Sequence, residues 1–148
     1  MLELAPLSDY RFLYELEPNP SNVSFDVWKA QITQPQWLVY GVQKDSKEIG
    51  ALIIERLADD VCEYHYSIVR KSATPRESRR LLIEVGKLLF AQGFNELRAT
   101  IPATNRAACR LAVACGFTFQ TFVVRHHLPH LTYALLRSDY LAQPSYWD

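Results

Sequence analysis

Residues 61–117 read VCEYHYSIVRKSATPRESRRLLIEVGKLLFAQGFNELRATIPATNRAACRLAVACGF, and the organisation of the whole chain follows from them. In 61–69 the even positions Cys62, Tyr64, Tyr66 and Ile68 are apolar or aromatic, while Glu63, His65 and Ser67 are polar. This period of two predicts a strand whose even face meets the core or a ligand. Helical spacing takes over at Pro75. Leu81, Leu82, Val85, Leu88 and Leu89 make one apolar stripe and Gly93 supplies the stop, so 75–92 is a helix. Residues 96–100 form the next strand, and a crossover of this length makes the two strands parallel. A second helix, 105–115, ends at Gly116 with Phe117 folding back on it.

Upstream, residues 2–4 make a short strand and 9–16 a helix that Pro18 and Pro20 end. Ser24 is the N-cap of a helix over 25–33, with Trp28 and Ile32 facing the core and Pro35 as its stop. Residues 36–42 and 49–54 flank the polar turn 44–47 and form a hairpin. Asp59-Asp60 turn into the strand at 61, the third of an antiparallel meander. Downstream, 117–125 and 131–136 are strands around a His126-His127-Leu128-Pro129 corner. The tail from Ser138 carries Tyr140, Tyr146 and Trp147, which dock on the domain or mediate self-association.

A chain of 148 residues, 49% hydrophobic, suits one domain (1–148, with 137–148 as a C-terminal tail). Met1-Leu2-Glu3 opens no apolar run, so no signal or transit peptide is expected. No apolar stretch nears the roughly 20 residues a membrane helix needs. Cys62, Cys109 and Cys115 are an odd number with no pairing geometry on the helix, which fits a reduced, cytoplasmic setting. Net charge is zero but segregated: residues 1–68 hold 5 Lys/Arg against 11 Asp/Glu, and residues 69–110 hold 9 against 3. A basic segment in an otherwise acidic domain points to a local anion site more than to a nucleic-acid surface, although a solvated helix face also accounts for it. His126, His127 and His130 do not make a metal site, because adjacent histidines on a strand face opposite ways. Walker, dinucleotide and zinc-type patterns are absent.

The element order β, α, α, β, β, β, α, β, α, β, β, with a mixed sheet and about four flanking helices, resembles the GNAT N-acetyltransferase superfamily from about Trp37 to Leu136. Its sharpest part is Asn105-Arg106-Ala107-Ala108-Cys109-Arg110-Leu111, closing on Gly116-Phe117, which is similar to the family's late helix. The resemblance implies an α/β acyl-CoA N-acyltransferase fold, acetyl-CoA as acyl donor without a metal, and an amine acceptor. In the family, a glycine-rich loop before the long helix wraps the pyrophosphate. Here it falls on Ala73-Thr74-Pro75-Arg76-Glu77-Ser78, without glycine. Thr74-Pro75-Arg76-Glu77 is moreover a capping box that turns a carboxylate toward the helix N-terminus. Guanidinium groups of Arg70, Arg76, Arg79 and Arg80, with Lys71, can hold phosphate without glycine. The cofactor-binding set implied is Ile68, Arg70, Ala73, Thr74, Arg76, Ser78, Arg79, Asn105 and Ala108.

Acetyl transfer needs a deprotonated amine, a polarised carbonyl and a protonated thiolate. The family polarises the carbonyl with a backbone N–H on the central strand, here near Ile68, and protonates the thiolate with a late-helix tyrosine, here replaced by Ala112. Glu63, Tyr66 and Asn105 are the catalytic candidates, with His65 a second choice of base and Tyr64 a second hydroxyl. Glu63 reads otherwise as an exposed strand residue. The competing expectation is a GNAT-like binding or assembly module that has lost catalysis, a type also met in bacteriophage gene clusters. Partners expected are acetyl-CoA and an amine, with no membrane, no nucleic acid, and a homodimer through the tail or the last hairpin.

Overall fold

The computed structural model describes residues 1–17 and 22–142. One seven-stranded sheet carries the fold: β1 (Leu2–Pro6), β2 (Trp37–Lys44), β3 (Lys47–Ala58), β4 (Val61–Ile68), β5 (Glu96–Pro102), β6 (Thr118–Arg125) and β7 (Leu128–Leu136). The spatial order is β1-β2-β3-β4-β5-β7-β6. All neighbours are antiparallel except β4 and β5, as the helical crossover requires. The helices are α1 (Tyr10–Leu16), α2 (Phe25–Ile32), α3 (Pro75–Ala91), α4 (Arg106–Ala114) and α5 (Arg137–Ala142).

Two layers cover the sheet. Leu52, Ile54, Cys62, Tyr64 and Leu97 pack with Leu81, Leu82, Val85 and Leu89 of α3 and Ala112 of α4. Ala51 and Ile53 face the other way, onto Leu13 of α1 and Ile32 of α2. Since Ile53 pairs with His65 and Ala51 with Ser67, the polar positions of β4 share the α1/α2 face.

Helices α1 to α4 each start on the cap the sequence supplies. Asp9, Ser24, Thr74 and Asn105 accept from Phe12, Val27, Glu77 and Ala108 N–H respectively. Gly93 and Gly116 take φ of +104° and +89° past the ends of α3 and α4. Of the three two-residue hairpin turns, those at Asp45-Ser46 and His126-His127 have all four residues at positive φ, as a primed turn demands, whereas Asp59-Asp60 joins β3 to β4 beside a register shift.

Several expectations shift. The last hairpin is tighter, so β7 begins at Leu128 and the corner shrinks to the two histidines. Leu88 leaves the stripe, 63% exposed, while Ile83 and Phe90 join the buried side of α3. The tail begins as α5, with Tyr140 stacked on Phe90 at 5.0 Å. Tyr146 and Trp147 lie outside the described residues. No described helix is long and apolar enough to cross a membrane.

Candidate functional site

The sheet opens at its one parallel junction. β4 and β5 pair only from Val61–Glu96 to Tyr64–Ala99 and then part. Each strand stays anchored on its other side: β4 runs on against Gly50 and Ala51 of β3, and β5 against Leu131 and His130 of β7. Gly50 permits the β3 contact, since a Cβ there would sit 2.1 Å from Ser67 O. Val69 N–H donates to Ile49 O at 2.9 Å. Strand alternation therefore aims the N–H groups of Tyr66 and Ile68 the opposite way, into the gap. A cavity of about 360 Å³ fills the opening and reaches both faces of the sheet.

The α3/α4 wall carries Tyr64, Tyr66, Leu82, Ala108, Ala112 and Cys115. Tyr66 Oη and Ser78 Oγ are 2.8 Å apart, joining the strand to the first turn of α3. Burial pushes the Tyr66 hydroxyl above its usual range, against the pull of Ser78. Tyr64 is buried with a hydroxyl that has no hydrogen-bond partner, and burial raises its pKa well above the usual value. Burial also pushes the Cys115 thiol up to about 11, so it is neither thiolate nor ready acid at neutral pH. Asn105 lines the cavity while its side chain accepts from Ala108 N–H at 3.2 Å, so its carboxamide oxygen is engaged as the α4 cap.

On the α1/α2 side stand Glu17, His65, Ser67 and Thr100. Glu63 is no surface residue: it is 2% exposed, accepting from Arg125 Nη1 at 3.1 Å and Thr100 Oγ1 at 3.2 Å. A buried carboxylate persists because a guanidinium and a hydroxyl satisfy it. His65 turns Nε2 toward Glu55 Oε1 and Glu63 Oε1, 3.6 Å from each, too long for a hydrogen bond. That nitrogen is shielded and unpartnered, which leaves Nδ1 as the other nitrogen for proton exchange. The ligand atoms of Glu55, Glu63 and His65 lie within 4.8 Å of one another, but Arg125 already occupies the Glu63 oxygen nearest His65. A cation among them would face that guanidinium, so the set fits a metal poorly. His126 and His130 reach the cavity mouth without joining this group.

The segment before α3 has no glycine and is already closed. Thr74 N–H donates to Glu77 Oε1 at 3.0 Å, and Glu77 N–H to Thr74 Oγ1 at 3.1 Å. Lys44 Nζ is 3.0 Å from the same carboxylate oxygen. The Thr74 amide, then Lys44, hold the Glu77 pKa down to about 2. Arg70 and Arg76 are exposed beside it, with Lys71 at φ +65°, and Ala73 packs on the core. Two further expected members point elsewhere. Ser78 is buried on Tyr66, and Arg79 Nε donates to Ala114 O at 2.8 Å, finishing α4. Glu17, Thr100 and Arg125 were not foreseen as site residues; the only sequence cue for Arg125 was an arginine at the end of a strand.

Among solved structures, three of the same enzyme align with nearly the whole chain. A variant of spermidine N-acetyltransferase SpeG from Vibrio cholerae matches at TM-score 0.77 and 18% identity, covering 97% of this chain and 98% of its own. The Vibrio cholerae enzyme in complex with CoA and spermine gives 0.76 and 19%, over 95% and 98%. Its complex with manganese ions gives 0.77 and 20%, over 96% of each. No family model matches the sequence, and no curated protein matches it. The fold is that of the GNAT N-acetyltransferases, as the late-helix pattern implied.

Proposed function

We propose that this protein transfers an acetyl group from acetyl-CoA to an amine. The observation that carries the reading is the open cleft between β4 and β5, which joins the two sheet faces through a cavity of about 360 Å³. Likeness to an enzyme solved with CoA and spermine supports both a CoA thioester and an amine acceptor.

The thioester lies on the α3/α4 side and the acceptor enters from the α1/α2 side. The N–H groups of Ile68 and Tyr66 receive the carbonyl oxygen as it gains charge. The amine nitrogen bonds to the carbonyl carbon, its proton passes to Nδ1 of His65, and the carbon–sulfur bond breaks. Glu63 and Glu55, 3.6 Å from Nε2, stabilise the ring's positive charge once it takes the proton, so Glu63 acts through His65 and is a positioning residue. With Ala112 in place of a late-helix tyrosine, Tyr66, its hydroxyl paired with Ser78 Oγ, meets the departing sulfur and gives it a proton. Asn105 fixes the start of α4 against Ala108 and so shapes the cofactor wall. Arg70, Lys71 and Arg76 meet the pyrophosphate with side chains, because Glu77 and Thr74 hold the end of α3.

Titration calorimetry with CoA and acetyl-CoA tests the reading, followed by thiol release over a panel of amines. Saturable binding below about 1 mM and amine-dependent thiol release are expected. Absence of heat at millimolar ligand overturns the transferase and favours the non-catalytic module, to which the capped end of α3 is the one observation that lends weight.

A further inference from the structure

Glu17 takes no part in the chemistry above. It closes α1 as the C-cap residue and is half-buried, with its side chain on the cavity wall. Its Oε1 accepts from Ser67 Oγ at 3.0 Å, and among the described residues no lysine or arginine pairs with it. The other carboxylates of this face are differently placed. Glu63 is held by Arg125, Glu55 lies against His65, and Glu48 accepts from Ser8 and Asp9 at the start of α1. Glu17 alone among these four opens on the cavity with a hydroxyl as its hydrogen-bond partner, the one nearby charge among the described residues acting on it being that of His65. A carboxylate withdrawn from water with no lysine or arginine beside it and only the imidazole of His65 to offset its charge is costly, and a cation that relieves it can enter through the opening it faces.

We propose that Glu17 is a cation subsite of the acceptor pocket, so that the preferred acceptor is a flexible amine carrying a second, positively charged nitrogen. This rests on the acetyl transfer proposed above. The nitrogen that attacks must be neutral at that moment and cannot neutralise the carboxylate in the reactive complex. A second ammonium can, while the first nitrogen reaches His65. Ser67, one position further along the same face of β4 than His65, fixes the carboxylate oxygen and sets the distance between the two ends of the acceptor. Burial raises the Glu17 carboxyl above its ordinary range, against the pull of Ser67 and His65, and an ammonium beside it would act in the same sense as that pull.

Two measurements test this on the full chain. Acetylation of 1,4-diaminobutane is compared with that of 1-aminobutane, in the natural protein and in Glu17→Gln. The natural protein is expected to favour the diamine in kcat/KM by at least about tenfold, the scale of a charge-assisted contact. In the variant that ratio falls toward one, mostly through KM. Calorimetry of 1,4-diaminobutane alone serves as the second arm, with binding to the natural protein and at least tenfold weaker binding to Glu17→Gln. An equal ratio in the two proteins, or no preference in the natural one, overturns the subsite. Diamine binding lost in Glu17→Gln without turnover of any amine upholds the subsite and rejects the transferase. Acetylation of monoamine and diamine alike does the reverse.

Discussion

In the proposed transfer the acceptor half of the cleft turns on His65, whose ring stands on β4 beside the gap. Trp37 lies 5.6 Å from it ring to ring, and two carboxylates stand behind Nε2. Replacing His65 with Ala is expected to lower kcat by about 10²–10⁴-fold, the range for a lost general base. Acetyl-CoA affinity by calorimetry is expected to hold, because the proposed transfer puts the thioester on the α3/α4 side and the ring on the other. Equal loss of affinity and rate would move His65 out of the proton path and into the framework. Sequence alone ranked Glu63 as the catalytic carboxylate and otherwise as an exposed residue. Its burial was illegible because the groups that stabilise it, Thr100 and Arg125, are 37 and 62 positions away. Glu17 was equally hidden: in one dimension it is only the last acidic residue of a short helix, and its meaning comes from Ser67, 50 positions on.

At the scale of elements, α3 was the most legible part, since its stripe, proline start, capping box and glycine stop are all local. The same locality explains the closed phosphate end. The capping carboxylate is held near pKa 2 by the Thr74 amide and Lys44, against an ordinary 4.5. A carboxyl whose folded pKa is depressed adds stability that is complete above its unfolded value and disappears as pH falls through the folded one. The contribution of Glu77 is therefore present at neutral pH and is lost between about pH 4.5 and pH 2. In Glu77→Gln the melting temperature at pH 7 is expected to drop, and the decline from pH 4.5 to pH 2 to be shallower than in the natural protein. Thermal unfolding followed by circular dichroism at three pH values reads both. Parallel curves for the two proteins would mean the box contributes nothing to the fold. The same variant frees an amide where an anion is wanted, and tighter CoA binding in it would show Glu77 and phosphate competing for one place.

Across the whole molecule, the order of elements and the single parallel junction could be read from patterning, whereas the point of separation could not. It depends on where β3 and β7 hold their neighbours, which is a matter of three-dimensional register. The two edges of the sheet differ in the same non-local way. β1 is five residues long and ends in Pro6, a short and proline-blunted border. β6 is eight residues long, carries no charge from Thr118 to Val124, and exposes Phe119, Phe122 and Val124, the last two by 68% and 76%. An unpaired edge with those side chains is a template for another strand, and the partner always present at equal concentration is a second copy. Antiparallel pairing of β6 with itself about a two-fold axis satisfies both backbones and places Phe122 against the same apolar strip in the partner. Sedimentation equilibrium at about 10–100 μM, a range that resolves micromolar association, is expected to give the mass of two chains, 17.1 kDa each. Phe122→Arg is expected to return it to one chain with the circular dichroism spectrum unchanged. A natural protein that sediments as one chain throughout that range would leave β6 an exposed edge guarded only by the irregular register between Phe119 and Thr121, a device that bends the strand away from partners.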